Sequence, residues 1–166
     1  FGGNDSYSSR DVPIFPATWY YHTYYSPVPT TGASTPIKDT AAVMLYNSLN
    51  RDLTINWFSG IPSNGSINIP AKSVVRFPLA MSATAAYRFE NPTGESFTAI
   101  QICDSYTPGS GGNTGLQYDW SFNLIAQNRL TDFATVAWAP GSIDGTRNDN
   151  PIWVTPTSNT TIYVKY

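Results

Sequence analysis

From residue 39 onward the chain alternates apolar and polar positions with a period of two. In Leu53-Thr-Ile-Asn-Trp57-Phe58, Leu53, Ile55 and Trp57 fall on one face of a strand and Thr54 and Asn56 on the other. The stretch Tyr118-Asp-Trp120-Ser-Phe122-Asn-Leu124 alternates as cleanly, and its apolar face is expected to be buried. Further runs over residues 40–47, 66–70, 73–79, 85–90 and 97–103 are built from residues that fit a pleated, half-buried surface. Three more runs lie toward the end, at residues 133–139, 152–155 and 161–166, and in the last Ile162 and Val164 alternate with Tyr163 and Lys165. Turn chemistry separates the runs. Asn64-Gly65, in the loop of residues 59–65, reads as a hairpin turn, and Asn91-Pro-Thr-Gly94 as a second tight turn. Strands recur at intervals of roughly 10 to 15 residues, and no window carries a capped 3.6-residue apolar period. The pattern predicts an all-β fold: a β-sandwich of two antiparallel sheets, Ig-like or jelly-roll-like, with about ten strands. Trp57, Trp120, Phe122 and Trp138 are expected in or near its core.

Residues 1–38 break the rhythm, because Pro13, Pro16, Pro27, Pro29 and Pro36 interrupt any ladder. They predict an extended arm ahead of a sandwich at residues 39–166, whose last strands, 151–166, are either part of it or the start of a following module. Within the arm, Trp19-Tyr20-Tyr21-His22-Thr-Tyr24-Tyr25 is the densest aromatic cluster of the chain. Two readings stand side by side. One is a strand or arm laid over the sheet and held by aromatic burial. The other is a stacking platform for a sugar or peptide, with Trp19, Tyr21 and Tyr24 as its ligand contacts.

Composition narrows the classes. Charged residues are 12% of the chain, hydrophobic residues 41% and aromatics 14%, which is the opposite of a disordered chain. Net charge is only -2, and the nine Lys and Arg are scattered singly, so nucleic acid is not the expected partner. No apolar run approaches the roughly 20 residues of a membrane helix, and no membrane insertion is expected. The lone Cys103 excludes an internal disulfide framework; it alternates with Phe97, Ala99 and Gln101 and reads as a small buried side chain. Polarity carried by Thr, Ser and Asn points to an exported β-protein, extracellular or at the cell surface. Phe1 in place of an initiator Met, and alternation that runs to Tyr166, suggest a segment of a longer polypeptide. Its expected partners are neighbouring modules of the same chain or identical subunits, together with surface glycans or proteins.

Catalytic chemistry finds little support, and no catalytic residue is assigned. The sole histidine, His22, lies among tyrosines, and no Gly-x-Ser-x-Gly elbow is present. Glu90 and Glu95 flank a turn, while Asp104 and Asp119 bracket a glycine-rich loop, residues 104–115, that lacks the Lys and helix of a phosphate cradle. Zinc is poorly served by one His and one Cys. Calcium suits the chain better. Asp144, Asn148, Asp149 and Asn150, with carbonyls such as that of Gly145, offer hard oxygen donors in one loop. The spacing is not that of an EF-hand and Arg147 stands inside the loop, so ordinary turn residues remain the competing reading.

Several stretches taken together resemble a known group: Val43-Met-Leu-Tyr-Asn47, Ile69-Pro-Ala-Lys-Ser-Val-Val75, Tyr118-Asp-Trp-Ser-Phe122, Val136-Ala-Trp-Ala-Pro-Gly-Ser142, Pro151-Ile-Trp-Val-Thr155 and Thr160-Thr-Ile-Tyr-Val164. They are similar to β-sandwich regions of very large surface proteins of Bacteroidota, with Ig-like modules and regions like the IgGFc-binding N-terminal region. The resemblance covers about residues 40–166. It implies an exported, modular, adhesin-like protein, and it transfers no binding residue.

Overall fold

The computed structural model describes residues 12–26, 42–59, 64–79, 86–103, 120–131 and 156–163, with the side chains of Cys103 and Trp120 left out of the description. The expected all-β sandwich is what these residues form. Eight strands are defined: β1 (Thr23–Ser26), β2 (Ala42–Tyr46), β3 (Leu53–Ser59), β4 (Asn64–Ile69), β5 (Val74–Pro78), β6 (Tyr87–Glu90), β7 (Thr98–Cys103) and β8 (Trp120–Asn123). They pair antiparallel into two four-stranded sheets, β1-β6-β3-β4 and β5-β2-β7-β8. Two single 3-10 turns, Ala17–Trp19 and Gln127–Arg129, are the other defined elements.

Alternation converts directly into layers. In β3, Leu53 and Ile55 are fully buried between the sheets while Thr54 faces solvent. In β6, Tyr87 and Phe89 point inward and Arg88 and Glu90 outward. Across the gap, Phe77 of β5 meets Trp57 at 5.3 Å, Tyr87 at 5.7 Å and Phe89 at 5.1 Å between ring centroids, the offset and edge-on contacts that aromatic quadrupoles favour. Trp57 packs against this core as expected. Gly65 lies opposite it in the register, and a Cβ there would stand 2.9 Å from the indole, so the missing side chain is what lets the ring lie over β4.

The chain moves between the sheets repeatedly, and each move interrupts a ladder. At the end of β2, Asn47 is completely buried. Its Nδ2 group donates to the carbonyls of Arg51 at 2.7 Å, Ile69 at 3.0 Å and Pro70 at 3.1 Å, two N–H bonds shared among three acceptors. Its Oδ1 accepts from the Leu49 N–H at 2.9 Å. One side chain therefore ties the β2–β3 crossing to the β4–β5 crossing beside it. Lys72, at φ 54° in the second crossing, donates its N–H to the Leu49 carbonyl at 3.1 Å. Asn91, 3% exposed, plays the same part where β6 passes to β7. It donates to the Thr54 carbonyl at 2.9 Å and accepts from the N–H groups of Thr93 at 3.1 Å and Glu95 at 2.6 Å, with Gly94 at φ 79° completing the turn.

Several expectations need correction. Asn64 and Gly65 are not a hairpin turn but ladder residues, paired with Phe58 and Trp57. Within the strand Gly65 leaves room for the Trp57 ring, which a Cβ at that position would crowd. Phe122 faces inward, paired with the buried Gln101, yet is 38% exposed, since β8 is the edge strand of its sheet. Residues 161–163 are not in a strand and have no ladder partner among the described residues, and Tyr163 is 91% exposed: alternation alone does not make a strand. Thr23–Ser26, within the segment that the prolines mark as an arm, is an edge strand of the first sheet. The expected strands at 133–139 and 152–155, with Trp138, and the expected burial of the Cys103 and Trp120 side chains lie outside the described residues.

Replacing Asn47 by Ala removes its bonds to three carbonyls and one N–H; the Pro70 carbonyl keeps the Ser73 N–H, the Ile69 carbonyl loses a buried donor, and the expected net cost is about 2–4 kcal/mol. The exposed Asn68→Ala, which loses a bond to Asp52, is expected to change stability by less than about 0.5 kcal/mol. Urea unfolding of the two variants beside the parent chain measures both.

Candidate functional site

The aromatic cluster predicted as a platform is divided by the fold. Tyr24 belongs to the core: it is 2% exposed, its ring meets Phe97 edge-on at 4.9 Å, and its hydroxyl donates to the Phe97 carbonyl at 2.8 Å. The same oxygen accepts from the Tyr21 N–H at 3.1 Å. Tyr24 is thereby removed from the candidate ligand contacts, because inward parity in β1 buries it. Tyr21 is half-buried, bridged to Phe97 through the backbone and packed ring to ring with His22 at 3.9 Å. Trp19 alone of the three lies open, 45% exposed, with Phe15 at 5.1 Å and the Arg129 guanidinium 4.9 Å from its ring centroid. The three residues do not form one surface.

Beside them β1 seals a margin of the sandwich. Tyr24 forms an isolated bridge with Ala126 beyond β8, so the edge strands of the two sheets meet there. Ser26 donates across the gap to Gln101 Oε1 at 2.5 Å, both residues fully buried. Polar groups inside an apolar gap are costly unless paired, and this pairing sets β1 against β7 in one register.

A different constellation lies on the outer face of the first sheet. Tyr25 pairs with Arg88, and Arg88 with Phe58, so the three side chains form one row across β1, β6 and β3. The Arg88 guanidinium stands 4.2 Å from the Phe58 ring centroid, a cation–π contact. Arg88 Nε is 3.4 Å from Glu90 Oε2, an ion-pair distance without hydrogen-bond geometry. Tyr25, Phe58 and Arg88, together with Pro156, border a shallow groove of about 290 Å³. The parity of Phe58 and Arg88 was readable from the alternation, but no sequence signal gave the cross-strand register that joins them to Tyr25.

The acidic groups of the described residues are engaged. Glu95 pairs with Arg51 and accepts from the Thr93 hydroxyl, and Asp52 accepts from Asn68 and from the Ala71 N–H. Among the described residues no three His, Cys, Asp or Glu stand close enough to hold a metal ion. Asp144, Asn148, Asp149 and Asn150, the calcium candidates, lie outside the described residues, as do Asp104, Asp119 and the glycine-rich loop. The described residues form a two-sheet β-sandwich. Compared with known proteins, the chain matches no family model, no curated protein and no solved structure.

Burial is the main cause that raises the pKa of the Tyr24 hydroxyl above its ordinary value, against the lowering effect of its hydrogen bonds to Tyr21 and Thr98. The folded state holds this proton more tightly than the unfolded state, so its contribution is fully present below about pH 10 and is lost as pH rises through the folded pKa. Urea unfolding from pH 8 to 11 is expected to show a falling stability above about pH 10 that is shallower in Tyr24→Phe, which also costs about 1–2 kcal/mol near neutrality.

Proposed function

We propose that the chain is a non-catalytic module of a large exported cell-surface protein, with a structural and adhesive role. The observation that carries this reading is the way the sandwich is locked: buried Asn47 and Asn91 fasten the crossings between sheets, and Ser26 with Gln101 joins the sheets through the core. Such a body is suited to hold surfaces in place. Low charge, polarity carried by hydroxyl and amide groups, and the resemblance of residues 40–166 to surface-protein sandwiches support the exported setting. Neighbouring modules or identical subunits are the partners this reading calls for, and calcium at the Asp144 to Asn150 loop remains part of it as a structural ion.

A second reading, recognition of carbohydrate or peptide, is favoured by one observation, the outward row of Tyr25, Arg88 and Phe58. Structural and recognition roles are compatible in one module. Protease treatment of intact source cells tests the setting. The reading predicts that fragments containing residues 42–59 and 86–103 are released from unbroken cells and react with an antibody to the purified chain. Complete protection until the cells are lysed would overturn it.

A further inference from the structure

We propose that the outer face of the first sheet binds an acidic oligosaccharide, with Arg88 holding a sugar carboxylate and Phe58 and Tyr25 stacking against sugar rings. This rests on the recognition reading above and names its ligand class; binding to the reduced sugars without acid preference would leave that reading standing and remove this one. The row Tyr25, Arg88, Phe58 spans three adjacent strands, and at about 4.8 Å per strand its two rings lie about 10 Å apart with the cation between them. Phe58 and Tyr25 point away from the core, and each stays half-buried at the groove. Aromatic surface placed outward in a register row contributes little to the core and presents flat apolar area to a ligand.

Arg88 supplies the charge selectivity. Its guanidinium is held over the Phe58 ring, and its Nε edge faces Glu90. The Nε group is buried and finds no hydrogen-bond acceptor among the described residues. A planar fork held by stacking, with donors to spare, fits a carboxylate in two-pronged fashion. Two residues along the strands, the row is Thr23, Glu90, Asn56 and Ser66; Thr23 is buried, and the other three offer a carboxylate, an amide and a hydroxyl suited to sugar hydroxyls. A groove of about 290 Å³ lies at the small end of ligand sites, which suits a ring-sized group.

Competing polymers fit less well. A peptide added as a strand needs a free sheet edge, whereas β6 lies between β1 and β3, with its backbone already in ladders. Nucleic acid needs several cations along its backbone, and among the outward positions of β1, β6, β3 and β4 Arg88 is the one cation.

The test uses the full chain and a panel of galacturonic, glucuronic and mannuronic acid oligosaccharides with sialyllactose, each beside its carboxyl-reduced counterpart. Calorimetry is expected to show binding to an acidic member of the panel that weakens about tenfold or more on carboxyl reduction, the loss expected for a charged hydrogen bond. Arg88→Gln is expected to remove that preference while leaving the melting temperature nearly unchanged, and Phe58→Ser to weaken acidic and reduced forms alike. Trp19→Ala, on the separate surface, is expected to bind as the parent does. Failure of every acidic sugar to bind better than its reduced form would overturn the proposal. So would acid preference that survives Arg88→Gln, or stronger binding to peptides than to any sugar of the panel.

Discussion

Backbone groups that leave a ladder must find partners elsewhere, and this constraint governs the fold more than any single apolar contact. Strands alternate between the sheets in chain order, β1 in the first, β2 in the second, β3 and β4 in the first, β5 in the second. At the described crossings, residues 47–52, 70–73 and 91–96, the chain turns over the end of the core beside the buried Asn47 and Asn91, where an unpaired carbonyl or N–H facing inward is expensive. Asn is suited to the task because its side chain carries both a donor and an acceptor on a short stem. Asn47 serves two crossings from one position, and Asn91 binds its own turn while reaching back to β3.

The aromatic seam and the surface follow from that locking. With the crossings fixed, Phe77 enters between Trp57, Tyr87 and Phe89, and the alternate residues of the same strands are directed outward. Arg88 stands between Tyr87 and Phe89 in sequence, so burial of those two rings is what orients its side chain to the opposite face. Core and candidate site are thus two parities of one set of strands, and a register slip of one residue would exchange them.

What was legible in the sequence was parity. Leu53, Ile55 and Trp57 against Thr54, Asn56 and Phe58 was enough to assign faces within β3, and the spacing of such runs was enough for a two-sheet sandwich. What was not legible depended on neighbours distant in the chain. Asn64-Gly65 carries strong turn chemistry, but the demand of Trp57 for an empty place opposite it overrode local preference. Trp19, Tyr21 and Tyr24 looked like one cluster because they are close in sequence, whereas strand pleat and the Phe97 contact send Tyr24 inward and leave Trp19 beside Arg129. The row on the outer face was hidden for the same reason: its members come from three strands whose register no local pattern encodes.

The central claim, that two buried asparagine side chains satisfy the backbone at the crossings, is tested most directly by native-state amide hydrogen exchange. The amides of Leu49, Thr93 and Glu95 lie in turns, yet each donates to an asparagine Oδ1. They are predicted to exchange nearly as slowly as the ladder amides of β2 and β3, opening only with the whole sandwich. Exchange of Leu49 and Glu95 at the rate of an open turn, while those ladders stay protected, would contradict the account.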